Sequence, residues 1–216
     1  MTEEQPSLRE LKRRRTFDAI MDNATRLFLE KGFDSVTVED ICTATGVSKR
    51  TFFNYIPSKE VAAIGPGPRA PSEEEIACFL ATRHDNVLEV VFDLVVDLFG
   101  IQDHQDDSFQ RELLRRRKEI RVRHQDLALQ HFARFHQARA ELENLLTDYY
   151  DRWPDTQQLD ASPQTEATTV VGTLIAAVFQ GARAWHELDG AQAADFRACC
   201  HQALTNIFLL QGGRTI

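Results

Sequence analysis

The chain has 216 residues, 43% hydrophobic and 27% charged, with a formal net charge of −8. That is enough chain for one or two domains whose cores need no staple, and the charge is uneven: residues 1–60 hold ten basic and ten acidic residues, so the remainder carries the whole −8. An acidic body does not attract nucleic acid, but a locally basic head still can, because screening isolates charges over about 8–10 Å.

The start, MTEEQPSLRELKRRRTF, is charged and lacks an apolar signal core, so a cytoplasmic location is expected. Its densest basic patch is Lys12 to Arg15. Apolar residues then recur at helical spacing almost throughout, and the fold class expected is all-α. Phe17, Ile20, Ala24, Leu27 and Phe28 mark one face of a first helix, about 9–31, closed by Lys31 and Gly32. Thr37 caps a second helix with Asp40 in the capping-box place, and Val38, Ile41 and Cys42 point inward. Gly46 ends it, Ser48 caps a third helix of about 48–54, and Pro57-Ser58 breaks the chain before a fourth. The run GPGPRAP, 65–71, cannot continue a helix and is the expected linker between a head, 1–64, and a body, 72–216.

Further helices are expected at about 73–83, 86–99, 108–121, 125–152, 163–188 and 191–210, with breaks at 101–107, 153–163 and 188–190. The uncharged run 167–182 is too short for a membrane span, which needs about 20 apolar residues. The four cysteines, Cys42, Cys78, Cys199 and Cys200, have no zinc spacing, and Cys199 and Cys200 read as small fillers of a helix seam. His131 and His136, five apart, do not share a helix face well, so no metal site and no cofactor are implied.

Two short helices joined at Gly46, with the first helix packed behind, make a helix-turn-helix over about 37–56. Val38, Ile41 and Val47 have apolar partners in Phe17, Ala24 and Phe28, which frees the other face of the third helix for a major groove. The stretch 17–60, and above all GFDSVTVEDI…GVSKRTFFNYIPSKE, resembles the DNA-binding head of the TetR family of transcriptional regulators.

That resemblance implies a set of DNA-binding residues. Lys49 and Arg50, at the start of the recognition helix after the cap Ser48, stand where the family reads bases or phosphates. Thr51 and Thr37 match positions whose hydroxyls meet phosphate. Phe53 replaces the usual tyrosine, so it keeps a face for a thymine methyl but has no hydroxyl. Asn54 reads a base edge, Tyr55 touches the backbone, and Lys59 grips phosphate at a helix start. Phe52 is expected in the core, and the basic run LKRRR resembles an arm reaching phosphates or the minor groove, or else a solvated helix start.

One head offers few phosphate contacts, so two heads on a palindromic operator of double-stranded DNA are expected. The helix 163–188 is apolar around most of its circumference, and with 191–210 it resembles the family's homodimer bundle. The helices between are expected to hold an unknown small-molecule effector, hydrophobic in character. Phe92 and Val95 are set against Phe132, Phe135 and His136, with Phe179, Gln180 and Arg183 nearby. The reading is a repressor released by its ligand. An activator with the same contacts, or a helical adaptor that no longer binds DNA, stays open. No nucleophile elbow, phosphate loop or HExxH is present, so no enzyme is expected.

Overall fold

The computed structural model describes residues 7–99, 107–188 and 193–211. Among them are ten α-helices and no strand: α1 (Leu8–Lys31), α2 (Val38–Thr45), α3 (Lys49–Tyr55), α4 (Lys59–Ile64), α5 (Glu73–Ala81), α6 (Val87–Phe99), α7 (Asp107–Arg123), α8 (Gln125–Arg152), α9 (Pro163–Glu187) and α10 (Ala193–Gln211). A single 3-10 turn, Pro154–Thr156, precedes α9. The breaks expected at 101–107 and 188–190 lie outside the described residues apart from Asp107 and Leu188, as do residues 1–6 of the charged start.

Local chemistry sets most helix starts. Ser7, Thr37 and Ser72 each close a capping box with an acid three residues on, and Ser48, Ser58 and Ser162 each accept from a first-turn N–H. The Ser7–Glu10 box draws Lys12 to Arg15 into the second and third turns of α1, all four exposed, so the basic run is helix and not an extended arm.

The chain divides into two compact units. The first comprises residues up to Pro66 together with Ser108–Phe132. Its core joins Ile20, Ala24 and Phe28 of α1, Ile41 of α2, Phe52 of α3 and Ala62 to Ile64 of α4 with Leu113 and Ile120 of α7 and Leu127 of α8. Arg116 of α7 pairs with Asp22 of α1 at 2.8 Å, and Arg123 donates to the Leu29 carbonyl at 3.0 Å.

The second unit comprises Gly67 onward to the end of α6 and the chain from Ala133. Here α9 packs on α6 and α10, burying Val171, Leu174, Ile175, Val178 and Trp185. By length and composition alone α9 could cross a membrane, with a mean hydropathy of 1.2; its buried residues serve this helical core. At Gly181 the helices α9 and α10 nearly touch: a Cβ there would lie 2.5 Å from Cys200 Cα. Cys200 fills that seam, its thiol pushed up to about 12 by burial, with Cys199 second.

Candidate functional site

The recognition element is built from its turn outward. Gly46 closes α2 in the left-handed region, φ 73° and ψ 25°, which an L side chain rarely adopts. Its N–H and that of Val47 both donate to the Cys42 carbonyl, at 2.8 and 3.1 Å. Ser48 then starts α3, its Oγ accepting from Thr51 N at 3.0 Å. Phe52, fully buried, pins the helix to the core, and Ile56 ends it.

With Phe52 inward, the helical period turns the next residues outward. Phe53 is 52% exposed and meets Phe52 edge to face, 5.3 Å between ring centroids. Arg50 and Asn54, one turn apart, are exposed on the same helix. Lys49 is exposed as well and pairs with Glu39 of α2. Such a half-exposed pair is worth little and can be exchanged. Thr51 is half-buried, its hydroxyl 2.8 Å from Ser48 Oγ. Tyr55 is half-buried against the core, so its hydrophobic body packs while it stays partly open.

Thr37 and Lys59 are engaged within the chain. Thr37 Oγ1 donates to Asp40 Oδ2 at 2.7 Å, and this bond holds the Asp40 carboxyl below its ordinary range. Lys59 Nζ donates to the carbonyls of Phe33 and Val36 at 2.9 and 3.0 Å, and lies 4.0 Å from the Phe33 ring centroid. The ammonium therefore ties α4 to the α1–α2 connection. Sequence spacing gave no sign of that use.

The residues expected to hold a ligand do not gather in one place. Phe92 and Val95 are buried, and the Phe92 ring lies 4.5 Å from that of His201. Phe135 stacks on Phe179 at 5.0 Å, while Phe179 remains 55% exposed. His136, Gln180 and Arg183 are exposed, Arg183 pairing with Glu187 at 3.1 Å; Phe132 is exposed within the first unit. Regular helix faces pack tightly, so space opens instead where helices end.

A cavity of about 510 Å³ lies in the second unit, lined by none of these eight. It is bounded by Arg83, His84, Tyr150, Asp155, Glu166, Thr169 and Phe208. Glu166, nearly fully buried, accepts from the backbone N–H of Gln158 at 2.8 Å and Leu159 at 3.0 Å. Burial, then the Glu166 charge, raises the Tyr150 hydroxyl. Arg83 donates to Asp155 at 2.5 Å, and this bond holds the Asp155 carboxyl below its ordinary range. His84 stacks between Phe79 and Tyr149, at 4.9 and 5.5 Å. One sequence signal pointed here: Glu166 is the acid that immediately precedes the uncharged run 167–182.

Comparison with known proteins matches residues 20–61 to the bacterial regulatory proteins of the tetR family. The HTH-type transcriptional regulator TcmR of Streptomyces glaucescens is 46% identical over 61 residues, 28% of this chain and 27% of its own, so the chain spans about a quarter of that relative. A Mycobacterium tuberculosis protein named as a mycofactocin biosynthesis transcriptional regulator, MftR, is 30% identical over 158 residues, 73% of this chain and 75% of its own. Among solved structures, Salmonella enterica GusR is 18% identical with a TM-score of 0.40, covering 88% of this chain and 96% of its own. On the sequence match that reaches across both head and body, the chain belongs to the TetR family of bacterial regulatory proteins.

Proposed function

We propose that this protein is a cytoplasmic, homodimeric transcription regulator that represses from a palindromic operator and is released by a small hydrophobic ligand. The observation that carries the reading is α3: Phe52 anchors it while Arg50, Phe53 and Asn54 of the same helix are exposed. Arginine suits guanine O6 and N7, asparagine suits adenine N6 and N7, and an aromatic face suits the thymine methyl. Residues 1–64 serve as the DNA-binding part, with Lys49 leaving Glu39 for phosphate or base. Thr37, Ser48, Thr51 and Tyr55 contribute to the backbone-facing edge, and Lys59 supports it through the α1–α2 connection. Relatives named as transcriptional regulators support the same reading.

Dimer formation is supported by apolar residues on α9 and α10 that one chain leaves open. Phe179 is 55%, Leu209 70% and Leu210 83% exposed. Pairing two chains over this face makes a bundle and doubles the number of heads on DNA. The cavity is the supporting feature for a ligand in the second unit.

The test is selection from a random duplex pool with purified protein, followed by binding at increasing salt. The expected product is an inverted repeat with half-sites about one helical turn apart or a multiple of it. With ~four phosphate contacts per head, log K against log salt falls with a slope of about −7. Lys49→Ala/Arg50→Ala abolishes binding. A pool without enrichment, or a slope near zero, contradicts the proposal.

A further inference from the structure

The helix α7 carries a second polar pattern that the DNA-binding reading does not use. Residues 110, 114, 117 and 121 fall within one narrow stripe of an α-helix, since each step of three or four residues returns to the same face. They are Gln110, Leu114, Arg117 and Arg121. Gln110 and Arg117 are buried, at 5% and 9% exposure. Among the described residues, Gln110 Nε2 and Arg117 Nε have no hydrogen-bond partner. Both are donors, and both face the same way.

Arginine is the costlier of the two. A guanidinium carries five N–H donors and no acceptor, and burying it without a counter-charge is strongly unfavourable. Desolvation, with the neighbouring Arg121 adding repulsion, lowers the Arg117 guanidinium to about 10. Among the described residues no carboxylate offsets this, and burial lowers Arg121 as well. The site contrasts with Arg116 on the adjoining face, which holds both Asp22 and Glu112 at 2.8 Å. Among the described residues, carboxylates thus pair with Arg116 and not with Arg117. Native proteins leave few buried donors unmatched, and each such case calls for a partner.

We propose that Gln110, Arg117 and Arg121 form an anion-binding stripe on α7 that receives the carboxylate or phosphate group of a small organic molecule. The two guanidiniums hold the anionic head, since planar N–H forks suit both groups. Gln110, about 10 Å along the helix axis, donates to a carbonyl or hydroxyl further along the molecule, and Leu114 lies against the carbon chain between them. The NH1 atom of Arg117 would lie only 3.1 Å from a Cβ placed on Gly65, so the guanidinium sits directly at the end of α4. Leu113 and Ile120, beside Arg117 on the same buried side of α7, lie in the core that also holds Phe52 of α3. An anion on the stripe therefore acts on a helix that supports the recognition element.

The test is thermal melting of the full chain without DNA, so its result does not depend on operator binding. The probes are octanoate, octyl phosphate and octyltrimethylammonium. At a hundredfold excess over its Kd an anionic probe raises Tm by about 5–10 °C. A rise with both anions supports the shared head-group chemistry; a rise with one supports it and names the group. An equal rise with the ammonium probe overturns the proposal, because the tail alone then binds. In Arg117→Met the uncompensated charge is gone, so the free protein melts at or above the wild-type temperature and the anion shift disappears. A free Arg117→Met that melts well below wild type, or fails to fold, overturns the proposal. So does an anion shift that survives Arg117→Met or is unchanged in Arg121→Met.

Discussion

Replacing Lys59 with methionine separates two roles that a lysine at this position can have. The substitution keeps the length of the stem and removes the ammonium. In the folded chain Nζ donates to the Phe33 and Val36 carbonyls at 2.9 and 3.0 Å, and both residues are buried. Charge-assisted hydrogen bonds of this kind contribute ~1.5–3 kcal/mol each in favourable settings, and a cation over an aromatic face adds ~0.5–1 kcal/mol. Lys59 is only partly buried, so water screens the ammonium and the combined loss is ~2–4 kcal/mol. For a chain of this length that lowers Tm by roughly 5–15 °C. The assay is differential scanning fluorimetry of the DNA-free protein, with circular dichroism to follow helix loss. If Lys59→Met melts within about 1 °C of wild type while duplex binding falls, the ammonium serves phosphate and the stapling argument fails.

Other consequences are equally direct. Gly181→Ala places a methyl 2.5 Å from Cys200 Cα, far inside the ordinary ~3.5–4.0 Å contact; α9 and α10 must separate, costing ~1–3 kcal/mol and lowering Tm in calorimetry. Glu75 and Glu112 are held at about 2, Glu75 chiefly by Arg69 and Glu112 chiefly by Arg115. Their folded values lie below the ordinary 4.5, so their contribution is present above about pH 4.5 and lost as pH falls toward 2. Melting between pH 5 and 2.5 should fall more steeply in wild type than in Glu75→Gln/Glu112→Gln. Finally, Cys78 is exposed whereas Cys200 is buried with its thiol at about 12. Brief maleimide labelling at pH 8 therefore modifies Cys78 and leaves Cys200 intact by peptide mass mapping, and labelling of native Cys200 would show that the α9–α10 seam opens.

The helices were legible because their signals are local. Thr37 with Asp40, and Ser48, Ser58 and Ser72, mark starts that depend only on the next turn, and the 125–152 helix has the bounds that its apolar spacing gives. Ends set by distant partners were less legible. The α5 helix stops at Ala81, short of the expected 83, where Thr82 turns extended and the His84 N–H donates to the Tyr149 hydroxyl, 65 residues away. Lys59 shows the same limit: a lysine at a helix start suits a phosphate, and only the fold reveals the two carbonyls it meets. Of the residues expected to hold a ligand, Phe92 and Val95 are buried, Phe132, His136, Phe179, Gln180 and Arg183 are exposed, and none lines the cavity. The cavity arises at helix ends and in the 153–162 segment, where no periodic pattern exists to be read.

The claim that α3 reads bases is tested most directly by measuring Arg50→Ala and wild type against every single base-pair change in the selected duplex. Wild type should lose ~1–3 kcal/mol at each contacted pair. Arg50→Ala should erase that penalty at one symmetry-related pair of positions and leave the others intact. A uniform loss of affinity at all positions, or no change at any, would contradict the account.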